Sequence, residues 1–272
     1  MNYIKSILFI TLLTPTISHA LQRIYVGNIG QNKVEFYFNS ESAIYLDDEK
    51  HQIYSMSSVK GRNSIPPYYE YSVEGSTEKR SDKIFIESFT HSPFSNDLET
   101  YQKLTGYTLI NGDKVNLNKI FEFSEFVSDE EEFNNIDYLQ ERSTNDFYFK
   151  VIVSKQKNEK AKIVGIKIYS KKDGRLIQTI KGIKGCAFNS YVSIMTHDEF
   201  DINFDSDNND FYLVKDRIYG PNTTAEYYAY DKTQQQFIKL NLEGNDFRFD
   251  YEKKIATSYK YCPGKKEDDE IS

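Results

Sequence analysis

Tryptophan is absent from this sequence and cysteine, proline and glycine are scarce, with two Cys, six Pro and 13 Gly among 272 residues. So little glycine and proline excludes a collagen-like chain. No apolar run reaches the ~20 residues that a membrane-spanning helix needs, which excludes a multi-span membrane protein. Apolar residues do not recur with sustained helical spacing, so a coiled coil is also excluded. What is left is a globular chain with many apolar side chains to bury.

Aromatic residues, by contrast, are abundant, with 22 Tyr and 19 Phe. These residues suit the half-buried surface of a pleated sheet. Short apolar segments alternate with turn residues, and the alternation has a period of two in Lys33–Phe38 and Lys162–Ile168. Asn111-Gly112 and Asp173-Gly174 are typical of hairpin turns. The sequence therefore predicts an all-β fold of short antiparallel strands, a sandwich, barrel or propeller, with one short helical turn near Phe133–Gln140.

The first 20 residues have the layout of an export signal. Lys5 provides a positive start, Ile7–Leu13 form an apolar core, and Ser18-His19-Ala20 puts small residues before a cleavage point. The apolar core is too short to span a bilayer, although a short N-terminal anchor is the alternative. No Cys lies near the cut, which argues against a lipid-anchored protein. We expect a signal peptide over 1–20 and an exported, soluble mature chain.

Composition divides the mature chain into two halves. Residues 128–146 contain the acidic run Asp129–Glu132 and few apolar side chains, which indicates a solvated linker; an acidic patch facing a cationic partner is the alternative. This segment would separate an N-terminal β half, 21–127, from a C-terminal β half, 147–262. The charged residues 263–272 are expected to form a disordered tail.

Both cysteines, Cys186 and Cys262, lie in the mature part of the chain. In an oxidising compartment they can form a disulfide that ties the C-terminal segment to the middle of the chain, and two separately buried thiols are the alternative. The net charge of the chain is −7 at pH 7. An acidic surface argues against binding to nucleic acid or to anionic membranes, and it favours a cationic partner.

The most informative segment is Asp201–Asp210, which reads DINFDSDNND. Oxygen-bearing side chains recur there at alternate positions, and Ca²⁺ takes about six to eight oxygen ligands. Ser206 stands where an EF-hand has glycine and Tyr212 where it has glutamate, so the segment predicts a short calcium loop between strands and not an EF-hand. A metal-free Asn/Asp-rich turn is the alternative. The predicted ligands are the side chains of Asp201, Asn203 and Asp205, the carbonyl of Asp207, and either Asn209 or Asp210.

Motifs for catalysis are missing from the sequence. It contains no H-E-x-x-H, C-x-x-C, G-x-S-x-G or phosphate-binding loop. Outside the predicted leader the histidines are His51, His91 and His197. The run His197–Glu199 is typical of a surface segment beside acids, and a metal ligand or general base is the alternative. The abundant carboxylates single out no glycosidase pair. We expect no catalytic residue and no enzymatic activity.

Tyrosine-rich segments are candidates for partner contacts, because Tyr is enriched at protein interfaces. Tyr68–Tyr71 and Tyr227–Tyr230 are two such segments, and the long polar loop Asp216–Glu226 is a third place for contacts. Packing in the core is the alternative for half of the strand tyrosines. The predicted partner-binding residues are Tyr219, Tyr227 and Tyr228.

Four segments in the C-terminal half carry a family resemblance. Asp173–Ile180 resembles the strand–turn–strand motif sG-x-x-x-Q-x-I. Asp201–Val214 is similar to the loop motif D-x-N-F-D-G-x-x-D-L-x-V, with serine in place of the glycine and one extra residue before Asp210. Tyr227–Asp231 follows with Phe237, and Phe249–Ser258 is similar to F-D-x-x-x-K-x-I-x-S. The match covers residues 147–262, whereas the N-terminal half shares only an order of short strands.

Together these segments resemble a family of secreted, calcium-binding, β-propeller-like (FG-GAP-like) proteins. Its best-understood members are periplasmic immunity proteins that inhibit lysozyme-like peptidoglycan hydrolases delivered by bacteria-killing type IV secretion systems. The resemblance implies a propeller-like fold, a structural Ca²⁺, a periplasmic location and a basic hydrolase as partner, whose active-site cleft the protein would block. A calcium-containing glycan- or wall-binding module and a calcium-dependent hydrolase are the alternatives.

Overall fold

The computed structural model describes residues 21–271 except 30, 40–41, 60–67, 74–82, 88–105, 111–112, 125–129, 197–199, 217–223, 243–246 and 263–264. The predicted signal peptide, 1–20, lies outside the described residues. Nineteen strands and one 3-10 turn, Ser190–Val192, are found in the described part of the chain. No helix in that part is long and apolar enough to cross a membrane.

The first eight strands pair in sequence order, each antiparallel to the next. In addition β1 pairs with β8, with Leu21 opposite Ser124 and Val26 opposite Asn118, so the pairings of these strands run in a closed circuit. The eight strands are β1 Leu21–Ile29, β2 Asn32–Phe38, β3 Ser42–Asp47, β4 Gln52–Val59, β5 Tyr68–Val73, β6 Lys83–Glu87, β7 Gly106–Ile110 and β8 Asp113–Ser124.

The later strands form three further antiparallel sheets. Two of them contain four strands each, in the orders β12-β11-β10-β9 and β13-β14-β15-β16, and the third has the order β17-β18-β19. Hairpin order throughout means that neighbours in sequence are neighbours in space. These strands are β9 Phe133–Leu139, β10 Phe147–Lys155, β11 Lys162–Ser170, β12 Leu176–Ala187, β13 Ile194–Met195, β14 Phe211–Asp216, β15 Thr224–Asp231, β16 Gln236–Lys239, β17 Arg248–Asp250, β18 Ile255–Cys262 and β19 Lys265–Ile271.

The all-β prediction is confirmed, but two segments differ from what their composition predicts. The expected helical turn near Phe133–Gln140 is wrong, because Phe133–Leu139 forms β9 along the edge of β10. The expected linker 128–146 therefore contains a strand. Likewise, the expected disordered tail contains β19, which pairs with β18 along its whole length. Charged residues are tolerated on edge strands. Each of these segments pairs with the free edge of a neighbouring strand, and its own composition gives no information about that neighbour.

β10 lies at the centre of the main core. Eight of its nine residues are buried, so its two faces are both covered and no period-two alternation of burial is seen. Phe149 packs against Phe211 of β14, at 4.8 Å between ring centroids. The neighbouring Lys150 points the other way, to Glu35 of β2, at 2.7 Å between Nζ and Oε2. β10 is thus enclosed between the N-terminal strands and the β13–β16 sheet.

One apolar cluster spans both predicted halves. It includes Ile24, Tyr37 and Phe123 from the first eight strands, together with Tyr138 and residues of β10, β11 and β14. Polar contacts cross the same junction, for example the Tyr138 hydroxyl, which donates to Gln22 Oε1 at 2.6 Å. The junction between the halves is therefore part of the core.

Candidate metal centre

The Asp/Asn-rich loop lies between β13 and β14, and apolar side chains at its start anchor it to the protein. Phe200 and Ile202 are buried in a small cluster with Tyr227 and Phe247. Because Phe200 and Ile202 point inward, the residue between them, Asp201, is turned towards the outer side. The alternation in the sequence thus separates anchoring side chains from oxygen-bearing ones.

Three predicted ligands come together at the start of this loop. Asp201 Oδ1 accepts the N–H of Asp205 at 2.9 Å, and Asp201 Oδ2 accepts the N–H of Ser206 at 2.7 Å. Asn203 Nδ2 donates to Asp205 Oδ2 at 3.1 Å. The chain therefore wraps around the carboxylate of Asp201 and brings the Asn203 and Asp205 side chains beside it. Each carboxylate oxygen has further lone pairs with which to bind a cation.

The sharp turn of the loop uses two residues with left-handed backbone angles. Phe204 has φ 59° and Ser206 has φ 66°. Ser206 occupies the position at which the sequence departs from the glycine of related loop motifs, and it adopts the conformation that glycine reaches at no steric cost. Serine at this position therefore carries a conformational cost that glycine would not have.

Asp207 and Asn209 face a different neighbour, the turn before β10. Asn209 Nδ2 donates to Asp207 Oδ1 at 2.7 Å and to Asp146 Oδ2 at 2.8 Å. The N–H of Asp146 in turn donates to Asn209 Oδ1 at 3.1 Å. Lys232 Nζ lies 3.4 Å from Asp207 Oδ2. The Asn209 amide is thus engaged with Asp146 and Asp207, away from the Asp201 side chain.

Asp210 fastens the loop to the sheet. Its side chain is fully buried, and Oδ2 accepts the N–H of Ile202 at 2.7 Å while Oδ1 accepts the N–H of Tyr230 at 2.8 Å. Burial raises the pKa of this carboxyl to about 7, although the two N–H donors act in the opposite direction, and the charge of Asp205 raises the pKa further. A cation bound by the loop would favour the ionised form of Asp210.

The donor set decides which metal the loop can hold. No group of three or more His, Cys, Asp or Glu side chains in the described residues is placed to hold a metal. A site at this loop would need the amide oxygen of Asn203 and carbonyl oxygens in addition to Asp201 and Asp205. All of these donors are oxygens, which fits a hard cation such as Ca²⁺ and does not fit zinc or copper.

Other parts of the chain close over the loop, and the sequence motif did not include them. The Phe204 ring packs near Phe249 and Tyr251, with centroids 6.3 and 6.1 Å away. Lys254 Nζ donates to the Phe204 carbonyl at 3.3 Å. Asp146, Lys232 and Lys254 lie tens of residues from the loop in sequence, so no spacing pattern could have identified them.

Two of the three predicted partner-binding tyrosines are core residues. Tyr227 and Tyr228 are 5% and 2% exposed, so the prediction that they contact a partner is wrong. The Tyr228 ring stacks on Phe211 at 4.9 Å between centroids, and its hydroxyl donates to Glu226. Tyr227 packs edge-on against Phe247. Both face inward because β15 is covered on its two sides. Tyr219 lies outside the described residues.

The two cysteines and the histidines are the remaining residues that the sequence singled out. Cys186 is buried in the main core, and Cys262 is the last residue of β18, so their disulfide stays a prediction. His91 and His197–Glu199 lie outside the part of the chain that the structure describes. The ring of His51 packs against Gly174 at the β11–β12 turn, so this histidine makes a packing contact between two turns.

No protein-family model, curated protein or solved structure matches this chain. The family resemblance therefore depends on the four sequence segments alone.

Proposed function

We propose that this protein is a non-enzymatic periplasmic immunity protein that inhibits a lysozyme-like peptidoglycan hydrolase by blocking its cleft. The observation that supports the proposal is that the segments resembling this family contact one another in the fold, although the contacting residues are up to 59 positions apart in sequence. The proposal is therefore based on an assembled unit and not on four separate short matches.

The contacts are specific. The calcium-loop segment reaches the tyrosine segment through Asp210, which accepts the N–H of Tyr230, and it reaches the last segment through Phe204 and Lys254. The first segment joins through Gln178, whose Oε1 accepts the N–H of Phe237 at 2.7 Å and whose Nε2 donates to the Phe237 carbonyl at 3.1 Å. Each motif thus supplies a residue that binds another motif.

The same unit supports a propeller-like plan for the C-terminal half. Propeller blades are four-stranded antiparallel meanders. The sheets β9–β12 and β13–β16 have that size and order, and Gln178 and Phe237 link one sheet to the other. We include a propeller-like relationship of these two sheets in the proposal.

In this proposal Ca²⁺ is structural. Asp201, Asn203, Asp205 and the Asp207 carbonyl would hold the ion, with Asp210 fixing the loop to β15. Binding to the folded state alone raises stability by about 2.7 kcal/mol when the ion is at 100 times its Kd. We expect Ca²⁺ to raise the melting temperature of the wild type and to have no effect on Asp201→Ala or Asp205→Ala. Glu132→Ala, an exposed carboxylate outside the loop, is the control. Equal Ca²⁺ responses in all four proteins would contradict the metal site.

The function is tested by peptidoglycan clearing. A panel of lysozyme-like glycosidases and amidases is assayed with and without the purified protein, in Ca²⁺ and again in chelator. Stoichiometric inhibition of one enzyme class supports an immunity protein, and loss of inhibition in chelator links the Asp201 loop to it. If no enzyme is inhibited while the protein alone sediments with insoluble peptidoglycan, the wall-binding alternative replaces the proposal. Turnover of the wall by the protein alone would establish a hydrolase instead.

A further inference from the structure

β12 contains an extra loop within the strand, for which we use the name β12 blister, residues 181–185. Lys181 pairs with Gly165 of β11, and Cys186 pairs with Ile163. Between these two pairs the chain advances by two residues in β11 and by five residues in β12. The three extra residues of β12 form a bulge in the ladder. Bulges are over-represented at sheet edges and next to active sites, where they re-aim side chains, and β12 is an edge strand of its sheet.

The β12 blister has a defined shape. Gly182 has φ 75° and Gly185 has φ 70°, angles that L side chains rarely adopt. A Cβ atom added to Gly182 would meet nothing within 4 Å, so the backbone angle and not close packing requires glycine there. Ile183 is only 7% exposed and belongs to the main core. The blister is thus anchored by one apolar side chain between two glycine hinges.

The β12 blister is cationic on an acidic protein. Lys181 and Lys184 are exposed, and no ion pair within the described residues involves either. The neighbouring Lys215, whose Cε would lie 3.6 Å from a Cβ at Gly185, is balanced by the buried Glu226 at 3.6 Å. The chain as a whole has a net charge of −7. Among the described residues, no carboxylate therefore pairs with these two exposed ammonium groups.

We propose that the β12 blister enters the cleft of the hydrolase and that Lys181 and Lys184 pair with its catalytic carboxylates; this inference rests on the proposed function. A glycosidase cleft holds two carboxylates about 5–9 Å apart. Residues three apart in an extended chain are separated by at most about 10 Å, which suits a pair of lysines facing a pair of carboxylates. The net charge of −7 on the chain as a whole complements a basic enzyme, while the two lysines complement the carboxylates of its cleft.

The test compares two double charge reversals in the clearing assay, using an enzyme that the wild type inhibits. Lys181→Glu/Lys184→Glu changes the blister, and Lys157→Glu/Lys160→Glu makes the same change of charge on exposed lysines of the β10–β11 hairpin. We expect the blister variant to need about 30-fold more protein for half-inhibition or more, since unpairing a buried charge pair costs that much. The hairpin variant should change by less than about 2-fold. Melting temperatures of both variants should match the wild type, because all four side chains are exposed.

Each outcome separates this inference from the proposed function. If the wild type inhibits and the two variants inhibit equally well, or are equally weakened, the blister is not the contact element and the inference is overturned. If the blister variant melts earlier, Lys181→Gln/Lys184→Gln replaces it under the same criteria. If instead the wild type inhibits no enzyme but sediments with peptidoglycan, and the blister variant does not, then the anionic wall is the ligand and both proposals are overturned.

Discussion

Buried amide side chains complete the hydrogen bonding of the backbone between the sheets. Gln140 is fully buried after β9, and its Oε1 accepts the N–H groups of Ser193 and Ile194 at 2.9 and 3.2 Å. Its Nε2 donates to the Ser190 carbonyl at 2.9 Å. The Gln140 side chain thus supplies the hydrogen bonds that a neighbouring strand would otherwise make to the backbone before and at the start of β13. Burying these backbone groups without partners would be costly.

Replacing Gln140 by leucine should therefore destabilise the protein strongly. The change leaves two buried N–H groups and one carbonyl without a partner, and each costs about 1–3 kcal/mol. We expect the free energy of unfolding to fall by about 3 kcal/mol or more in urea titrations. Gln156→Leu, an exposed glutamine in the β10–β11 hairpin, should change stability by less than about 0.5 kcal/mol. Equal effects of the two changes would contradict the role of Gln140.

A second residue-scale feature is the ion pair that joins β2 to β10. Glu35 Oε2 receives hydrogen bonds from Lys150 Nζ at 2.7 Å and from the Tyr37 hydroxyl at 2.6 Å. Burial by itself would raise the pKa of Glu35, but the charge and hydrogen bond of Lys150, the hydrogen bond of Tyr37 and the charge of Lys33 together lower it to about 2. The ionised carboxylate is thus favoured in the folded state.

This shift predicts a dependence of stability on acid pH. Because the folded pKa lies below the ordinary value of 4.5, the stabilisation is present above pH 4.5 and is lost as the pH falls towards 2. The loss is about 3 kcal/mol at most. In urea titrations between pH 5 and 2.5, wild-type stability should fall more steeply than that of Glu35→Gln. Lys33→Met removes a more exposed partner, whose charge is the smallest of the causes that lower the pKa of Glu35, so it should flatten the slope less than Glu35→Gln does. Parallel slopes for wild type and Glu35→Gln would disprove the assignment.

At the scale of elements, the β11–β12 turn contacts the N-terminal strands. Gly174 has φ 68°, and a Cβ placed on it would lie 2.4 Å from Cε1 of His51, in the β3–β4 turn. The turn signal Asp173-Gly174 in the sequence predicted the backbone angle. The close approach of a histidine more than 120 residues away gives the same glycine a second, tertiary constraint.

Gly174→Ala should separate these two constraints. The positive φ alone costs roughly 1–2 kcal/mol for an L residue, and Gly182→Ala, with a similar φ and open space around it, measures that cost. We expect Gly174→Ala to lose about 1 kcal/mol more than Gly182→Ala in thermal or urea unfolding. In a protein that also carries His51→Ala, Gly174→Ala should lose no more stability than Gly182→Ala does. If the two alanine variants lose the same stability, the contact with His51 imposes no cost.

A buried cation, Lys155 of β10, lies opposite the first residue of β9. Lys155 is 1% exposed, and its Nζ donates to the Ser124 carbonyl and to Glu131 Oε2, both at 2.7 Å. Glu131 also accepts the N–H of Ser124. The acidic run before β9 thus contributes a counterion that ties the end of β8 to β10. Glu131 therefore has a structural contact with a buried lysine, although the composition of the run around it is typical of a solvated linker.

At the scale of the whole molecule, the shared core predicts cooperative unfolding. Tyr37, Phe123 and Tyr138 belong to one apolar cluster with residues of β10 and β14, so neither predicted half can unfold without exposing the other. Calorimetry should show one transition with equal calorimetric and van't Hoff enthalpies. Tyr138→Phe, which removes the hydroxyl bonded to Gln22, should lower the transition temperature and keep it single. Two resolved transitions would mean that the halves are separate domains.

The sequence by itself determined the class of this fold, since strand periodicity, aromatic content and turn residues are local properties. It also determined the composition of the Asp201 loop and the turn at Gly174. Only the tertiary structure decided that Tyr227 and Tyr228 face the core, that β9 and β19 are strands, and that Asn209 binds Asp146. Each of these depends on a partner distant in sequence: a covering sheet, an open strand edge or a facing carboxylate. Local patterns do not encode such partners, because hydrogen bonding and burial are satisfied in space and not along the chain.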